Sequence, residues 1–444
     1  MGKRLIVNTA LMTSASLLMR CIAMGFQGYL SAKIGAAGIG LYQLVMSVEL
    51  LASTFAISGI RFAVTRLVSE ELGLGRSGGV HGAMLRSALY ALCFGSAAML
   101  LLTRFAEPIG FLWIGDARTV LSLRILAFGL PCLSLSSVLS GYFTACGRIW
   151  KPSLVHLIEQ CGVVAFVAFF LERAGEGDIE QSCAAVCAGV TAADILSLAL
   201  MLCFYVHDRR RYGERNGESF CLTSRMLSVA LPLAVSAYAR SALSTLEHLL
   251  VPRGFRKSGL SADAALAGYG IIQGMAMPVL GFPSVLLSSL AENVIPELTN
   301  AQVRGETGRI RREVKTLLGM SLLFSLATAT ALFVFADVIA NALFSSAEAG
   351  KYIRLLAPLV PAMYVDMVVD GCLKGLGQQV WSMGINILDA GLGVLLVYTL
   401  LPVGALDAYI GIIYFNELLN LTLSCARLRR AVTSRARPAR ESWR

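Results

Sequence analysis

Arg20, Arg61 and Arg240 each stand inside a long apolar run of this chain. A cation at the centre of such a run costs on the order of 2.5–3.5 kcal/mol on insertion scales, so residues of this kind seldom face lipid. Their polar neighbours repeat with helical spacing. In the first run Thr9, Thr13, Ser16, Arg20 and Gln27 follow at steps of four, three, four and seven, which lines them along one helix face. Gln43, Ser47, Thr54, Ser58, Arg61 and Thr65 form a similar face in the second run, and Ser228, Ser236, Arg240, Ser244 and Glu247 do so in the seventh. Three polar stripes, each with an arginine, are expected to line a shared central cavity with cationic walls. The competing reading is that each arginine pairs with a buried carboxylate or snorkels to the interface. A guanidinium donates two parallel hydrogen bonds to phosphate oxygens and stays charged at any physiological pH, so such a cavity suits a pyrophosphate. The candidate substrate-binding residues are Arg20, Arg61, Arg240, Gln27, Ser16, Ser236 and Ser244.

Carboxylates also fall within apolar runs: Glu49, Glu159, Asp194, Glu247, Asp366, Asp370, Asp389 and Glu417. They are candidates for balancing the arginines, relaying protons, binding a coupling cation or holding structure, with Glu49, Glu159, Glu247, Asp366 and Asp389 foremost. Glu49 lies about 120° around its helix from Arg61, which makes pairing within that helix unfavourable. Asp366, Asp370 and Lys374 follow at steps of four and read as an ion-pair ladder. No metal site and no cofactor are expected.

The elements that position these residues are membrane spans. The chain is 56% hydrophobic and only 15% charged, where a soluble domain carries roughly a quarter charged residues. Twelve runs approach the roughly 20 residues that a hydrocarbon core of about 30 Å requires: 5–32, 41–67, 83–105, 119–145, 152–172, 183–206, 225–251, 264–291, 314–341, 351–376, 380–401 and 404–426. The first run is too long for a signal sequence and is read as a helix. The chain also repeats itself. Gly38-Ile39-Gly40-Leu41-Tyr42-Gln43 recurs 230 positions later as Gly268-Tyr269-Gly270-Ile271-Ile272-Gln273. The same shift carries Arg124 onto Arg354, Pro131 onto Pro361, Gly141 and Gly147 onto Gly371 and Gly377, and Glu159 onto Asp389. The expected fold is therefore all-α and integral to the membrane, with about twelve helices in two six-helix repeat lobes. The lobes are drawn at 1–222 and 223–428, followed by a basic tail at 429–444.

Lysine and arginine concentrate on one side of these spans, in loops around Arg66, Arg148, Arg209 to Arg211 and Arg309 to Lys315 and in the tail, which places both termini in the cytoplasm. Arg253, Arg256 and Lys257 fall on the other side, against that rule. The net charge of +10 is explained by a basic rim facing anionic lipid and calls for no nucleic acid. Eleven cysteines are scattered without a CxxC motif. Cys183 and Cys187, one turn apart, are read as small packing residues.

Arg20 with Ile34-Gly35-Ala36-Ala37-Gly38-Ile39-Gly40-Leu41-Tyr42-Gln43, then Pro131, Ser140-Gly141-Tyr142-Phe143, Glu159-Gln160, Leu280-Gly281-Phe282-Pro283-Ser284 and Ile295-Pro296-Glu297-Leu298, resembles the stage V sporulation protein B family. That family belongs to the polysaccharide and lipid II flippase branch of the multidrug/oligosaccharidyl-lipid/polysaccharide exporter superfamily, and the resemblance covers nearly the whole chain. It implies a V-shaped, MATE-like arrangement of the two six-helix lobes, alternating access, and movement of an undecaprenyl-pyrophosphate-linked sugar across the cytoplasmic membrane during spore cortex formation. It also implies that Arg20, Arg61 and Arg240 handle the pyrophosphate. The expected partners are that lipid-linked sugar and membrane lipids, the expected state is a monomer, and no enzymatic activity is expected. A cation-coupled multidrug antiporter shares the superfamily fold and remains the alternative. A membrane enzyme acting on polyprenyl phosphate would need a carboxylate or histidine cluster, whereas His81, His156, His207 and His248 are dispersed.

Overall fold

A computed structural model describes residues 2–73, 77–174, 178–209 and 222–433, and all of its regular structure there is helical. Helices are what lipid permits, because each satisfies its own backbone. The order is α1 (Gly2–Ile57), α2 (Ile60–Gly73), α3 (Ser77–Pro108), α4 (Val120–Ala127), α5 (Leu130–Ala145), α6 (Trp150–Leu171), α7 (Ile179–Arg209), α8 (Leu222–Lys257), α9 (Ala262–Tyr269), α10 (Met277–Gly281), α11 (Ser284–Val303), α12 (Thr307–Phe344), α13 (Ala347–Leu356), α14 (Val360–Gly375) and α15 (Gln379–Thr433). Single π-helical segments, Ile109–Ile114 and Gly270–Ala276, extend α3 and join α9 to α10.

Ten candidate spans emerge among the described residues when α4 and α5, bent by 43°, count as one. Two of the ten are double. The stretch Ser16–Gly73 is 58 residues long, about 87 Å if straight, which is far more than a membrane holds. It turns at Gly35, whose φ of 67° only glycine adopts without cost, and α15 turns likewise at Ala405. Ten candidates with two of them double give the twelve crossings read from the sequence.

The repeat is visible in local geometry. Gly115 and Ser345 both take left-handed φ, and the residue after each, Asp116 or Ser346, caps the helix that follows by accepting from the N–H of Arg118 (3.0 Å) or Ala349 (3.2 Å). Arg124 pairs with Glu107 at 2.7 Å, and Arg354 with Asp337 at 2.5 Å. Gly115 and Ser345, Asp116 and Ser346, Arg124 and Arg354, and Glu107 and Asp337 are each related by the 230-residue shift.

Two compact units divide the chain: Met1–Ala23 with Leu41–Leu249, and Met24–Gly40 with Leu250–Arg444. Contacts thus assign residues 24–40 to the second unit and 223–249 to the first. In the first unit Leu222, Met226 and Ala230 of α8 join the core built by Val64 and Val68 of α2, Ala91 of α3, Tyr142 and Phe143 of α5 and Met201 of α7. A buried ion cluster sits in the same unit, where Asp208 of α7 accepts from Arg148 and from Lys151 (3.4 Å) and Tyr142 (3.4 Å). In the second unit Gln27 donates to the Gly274 carbonyl at 2.5 Å, and Gly40 lies against Gly270. A methyl group at Gly40 would strike the Leu266 carbonyl, and one at Gly270 would strike the Ala36 carbonyl. Leu266 and Ala36 are themselves 230 positions apart, so the two repeat-related glycines meet reciprocally, as small residues do where membrane helices approach closely. The tail from 434 to 444, and Arg76, Arg210, Arg211 and Arg215 of the basic loops, lie outside the described residues.

Gly40→Ala and Gly270→Ala should each destabilise the protein by about 1–3 kcal/mol, because the clash is with backbone and cannot relax by a rotamer change. Gly281→Ala, which meets nothing within 4 Å, should be neutral. Thermal unfolding of the purified variants in detergent measures both.

Candidate functional site

One face of α8 is given to packing. Thr245 donates to the Ser47 carbonyl at 2.8 Å, Ser241 to the Leu50 carbonyl at 3.3 Å, and Tyr238 meets the Ser58 hydroxyl at 2.5 Å. Ala230 lies against Gly59. At roughly 100° per residue, Ser236, Arg240 and Glu247 point about 120° or more away from the centre of that face, and Ser244 about 80°. The stripe predicted on this helix therefore exists as a stripe turned away from its packing partners. Arg240 is exposed, and Ser236, Ser244 and Glu247 are half-buried.

Arg61 owes its position to a break. Ser58 and Gly59 both have left-handed φ, 45° and 70°, which interrupts the helix between α1 and α2. For serine this conformation costs on the order of 1–3 kcal/mol. The surroundings hold it there: Ser58 is fully buried, and its hydroxyl bonds to Tyr90 (2.9 Å) as well as Tyr238, while Tyr90 also reaches the Ser58 carbonyl at 3.3 Å. Arg61 follows two residues after the break. Its carbonyl packs on Gly141 and accepts from Thr65, while its side chain is exposed. This tyrosine-clamped break was not foreseen, although a Ser-Gly pair inside an apolar run is a recognised kink signal.

Arg20, Arg61 and Arg240 all belong to the first unit, all are exposed, and none makes an ion pair with a carboxylate among the described residues. Pairing with a buried carboxylate, the bland alternative for these arginines, is therefore not what the described residues do. The contacts of Thr54 with Ser241 and of Ser58 with Tyr238 set α8 antiparallel to the end of α1. Arg20 lies on α1 with Ser16 half-buried one turn before it, whereas the side chains of Thr9 and Thr13 lie outside the described residues. Gln27 is turned to another task, its amide being held by the Gly274 carbonyl in the second unit.

The carboxylates divide by unit. In the first, Glu49 and Glu159 lie close enough to Asp194 for their charges to interact, and Glu159 also faces His156 Nδ1 at 3.6 Å. In the second, Asp370 pairs with Lys374 at 2.6 Å and accepts from Ser382, as the ladder reading requires. Asp366 does not extend that ladder: Lys374 is eight residues away, about 12 Å along the helix. Its Oδ1 and that of Asp389 are buried without a hydrogen-bond partner among the described residues, and both carboxylates interact with Glu417. Glu159 and Asp389, equivalent in sequence, thus sit in unlike surroundings. Among the described residues no group of three or more His, Cys, Asp or Glu side chains is placed to hold a metal ion.

The model of a family described as polysaccharide biosynthesis protein matches residues 5–302, two thirds of the chain. The chain belongs to the polysaccharide biosynthesis protein family. A second model, MatE, matches residues 257–399. Stage V sporulation protein B of Bacillus subtilis (strain 168) is 23% identical over 376 residues, covering 83% of this chain and 72% of that protein. Sporulation protein YkvU of the same organism is 21% identical over 85% of this chain and 86% of its own length. The resemblance read from the sequence is borne out. Among solved structures, the lipid II flippase MurJ in an inward closed conformation superposes with a TM-score of 0.72 at 12% identity, covering 95% of this chain and 87% of that one. An inward-facing multidrug resistance MATE family transporter of the MOP superfamily gives 0.67 at 14%, covering 94% and 96%. These likenesses establish the two-lobe, all-helical transporter fold for this member of the polysaccharide biosynthesis protein family.

If the arginine stripe of this family member faces water, Ser236→Cys and Ser244→Cys in a cysteine-free background should react with a charged, water-soluble maleimide. Ser241→Cys and Thr245→Cys, on the packed face, should react at least about tenfold more slowly, because the reactive thiolate needs solvent. Labelling rates followed by mass shift provide the comparison.

Proposed function

We propose that this protein is a flippase that moves an undecaprenyl-pyrophosphate-linked cell-wall or polysaccharide precursor across the cytoplasmic membrane by alternating access. The observation that carries the reading is the set of three exposed arginines, Arg20, Arg61 and Arg240, on apolar helices without carboxylate partners among the described residues. A pyrophosphate supplies the anion they lack, and guanidinium forks match its oxygens two by two. The polyprenyl chain stays in lipid while the headgroup crosses. Both termini are cytoplasmic in this reading, and the protein works as a monomer. The two Bacillus sporulation relatives carry the proposal to spore cortex peptidoglycan synthesis.

Voltage supplies the drive. Moving one elementary charge through 100 mV is worth about 2.3 kcal/mol, so an anionic headgroup is pushed out of a negative interior and an empty cationic cavity is drawn back. A second reading, cation-coupled multidrug antiport, draws on the MatE match and on the acidic interior formed by Asp366, Asp389 and Glu417. It makes the opposite demand on substrate, which must be cationic.

Liposomes holding the purified protein and fluorescent undecaprenyl-pyrophosphate sugars separate the readings. Wild type should expose headgroups to the opposite leaflet. Arg20→Ala and Arg240→Ala, each deleting a charge-assisted contact of about 1.5–3 kcal/mol, should slow transfer roughly ten- to a hundredfold with the fold intact. An inactive wild type that exports a cationic dye would replace the flippase with the antiporter. Collapsing the potential with a potassium ionophore at constant pH gradient should stop transfer, and undiminished flipping would refute voltage drive.

A further inference from the structure

The C-terminal end of α8 carries three cations within five residues, Arg253, Arg256 and Lys257. They follow Arg253 at steps of three and four and so share one face. Together with Val397, Tyr398 and Pro402 of α15 they line a cavity of about 430 Å³ that lies wholly within the second unit. No carboxylate is among its lining residues. Neither Arg253 nor Lys257 has an acidic partner among the described residues, and Lys257 Nζ stands 5.3 Å from the centre of the Tyr398 ring. Arg253 and Lys257, four residues apart on one helix face, repel each other, and an anion placed between them relieves the repulsion.

The wall facing the cations is a helix coming apart. Pro402 has no N–H to give, and Ala405 leaves helical geometry at φ 46° and ψ −129°. Tyr398 and Val403 beside this break are 60% and 87% exposed, so an apolar rim flanks the charged centre. A basic pocket with an apolar rim offers an anionic lipid both of its contacts, the cations for the phosphate and the rim for the chains.

We propose that this cavity, at the end of α8 opposite Leu222, is a phosphate site that holds the headgroup of an anionic membrane lipid. It is a separate site from Arg20, Arg61 and Arg240, which belong to the first unit. Arg253 supplies the bidentate contact, Lys257 a point charge steadied by Tyr398, and the unwinding of α15 the room. The proposal requires no transport, so it stands or falls independently of the flippase reading.

The test uses the full-length protein. Native mass spectrometry after incubation with phosphatidylglycerol or phosphatidylcholine should show phosphatidylglycerol retained several-fold better by wild type. Arg253→Gln should abolish that preference, whereas Lys351→Gln, which removes a charge elsewhere on the same unit, should keep it. If Arg253→Gln does not fold, Lys257→Gln carries the same expectation. Titration of inorganic pyrophosphate into protein held in phosphatidylcholine nanodiscs identifies the source of the phosphate. Arg253-dependent binding there means the site takes free phosphate as well as a headgroup, and none means it takes the lipid alone. Unchanged retention in both the Arg253 and the Lys257 variants, or equal loss in Lys351→Gln, overturns the proposal.

Discussion

Hydrocarbon offers a peptide group no hydrogen-bond partner, and an unsatisfied group there costs several kcal/mol. Every place where this chain stops being a helix must therefore be answered by something nearby. At Ser58 and Gly59 the answer is two tyrosine hydroxyls from neighbouring helices. At Gly115 and Ser345 it is a side-chain cap on the following residue, repeated in both halves. Such breaks decide where the helices change direction. The position of Arg61 is a consequence of one of them.

The same economy governs charge. Asp208 is buried with Arg148 and Lys151 around it, and Arg225 reaches Glu70 and Glu71, joining the start of α8 to the end of α2. Asp208 and Glu71 are the buried members, and removing the cation beside either would strand its carboxylate in the interior, which is why such pairs act as staples. Arg20, Arg61 and Arg240 follow no such rule. Exposed cations on apolar helices without a carboxylate beside them are placed to meet an anionic ligand, and this contrast with Asp208 and Glu71 is what gives the proposed site its weight.

Much of this was legible in the sequence, because the signals were local or periodic. The twelve runs, the 230-residue shift and the stripe on α8 each depend on spacing along one helix, and spacing survives folding. The division into units was not legible. It depends on Thr245 meeting Ser47 and on Gly40 meeting Gly270, contacts between residues about 200 or more positions apart. Gln27 shows the same gap: it lies on the predicted face of α1, yet its amide finds the Gly274 carbonyl 247 residues away. Asp366 was drawn into a ladder by its four-residue step to Asp370, although that step joins like charges and the lysine lies a further turn on. Periodicity names a face, and only packing says what the face meets.

The hydroxyls of the α8 stripe sharpen what the proposed site would recognise. Ser228 donates to the Arg225 carbonyl and Ser236 to the Leu233 carbonyl, both at 2.9 Å, so each gives its proton to its own helix. Such serines make a helix face wettable without presenting a fixed pattern of donors to a ligand. The guanidinium is then the one strong donor on this stripe, and it addresses phosphate oxygens rather than sugar hydroxyls. Discrimination between a precursor and its analogues would accordingly rest on the pyrophosphate and the lipid chain, with the sugar read loosely. A lysine in place of Arg240 would keep the charge and lose the planar fork, so in this reading charge alone is not sufficient for the site.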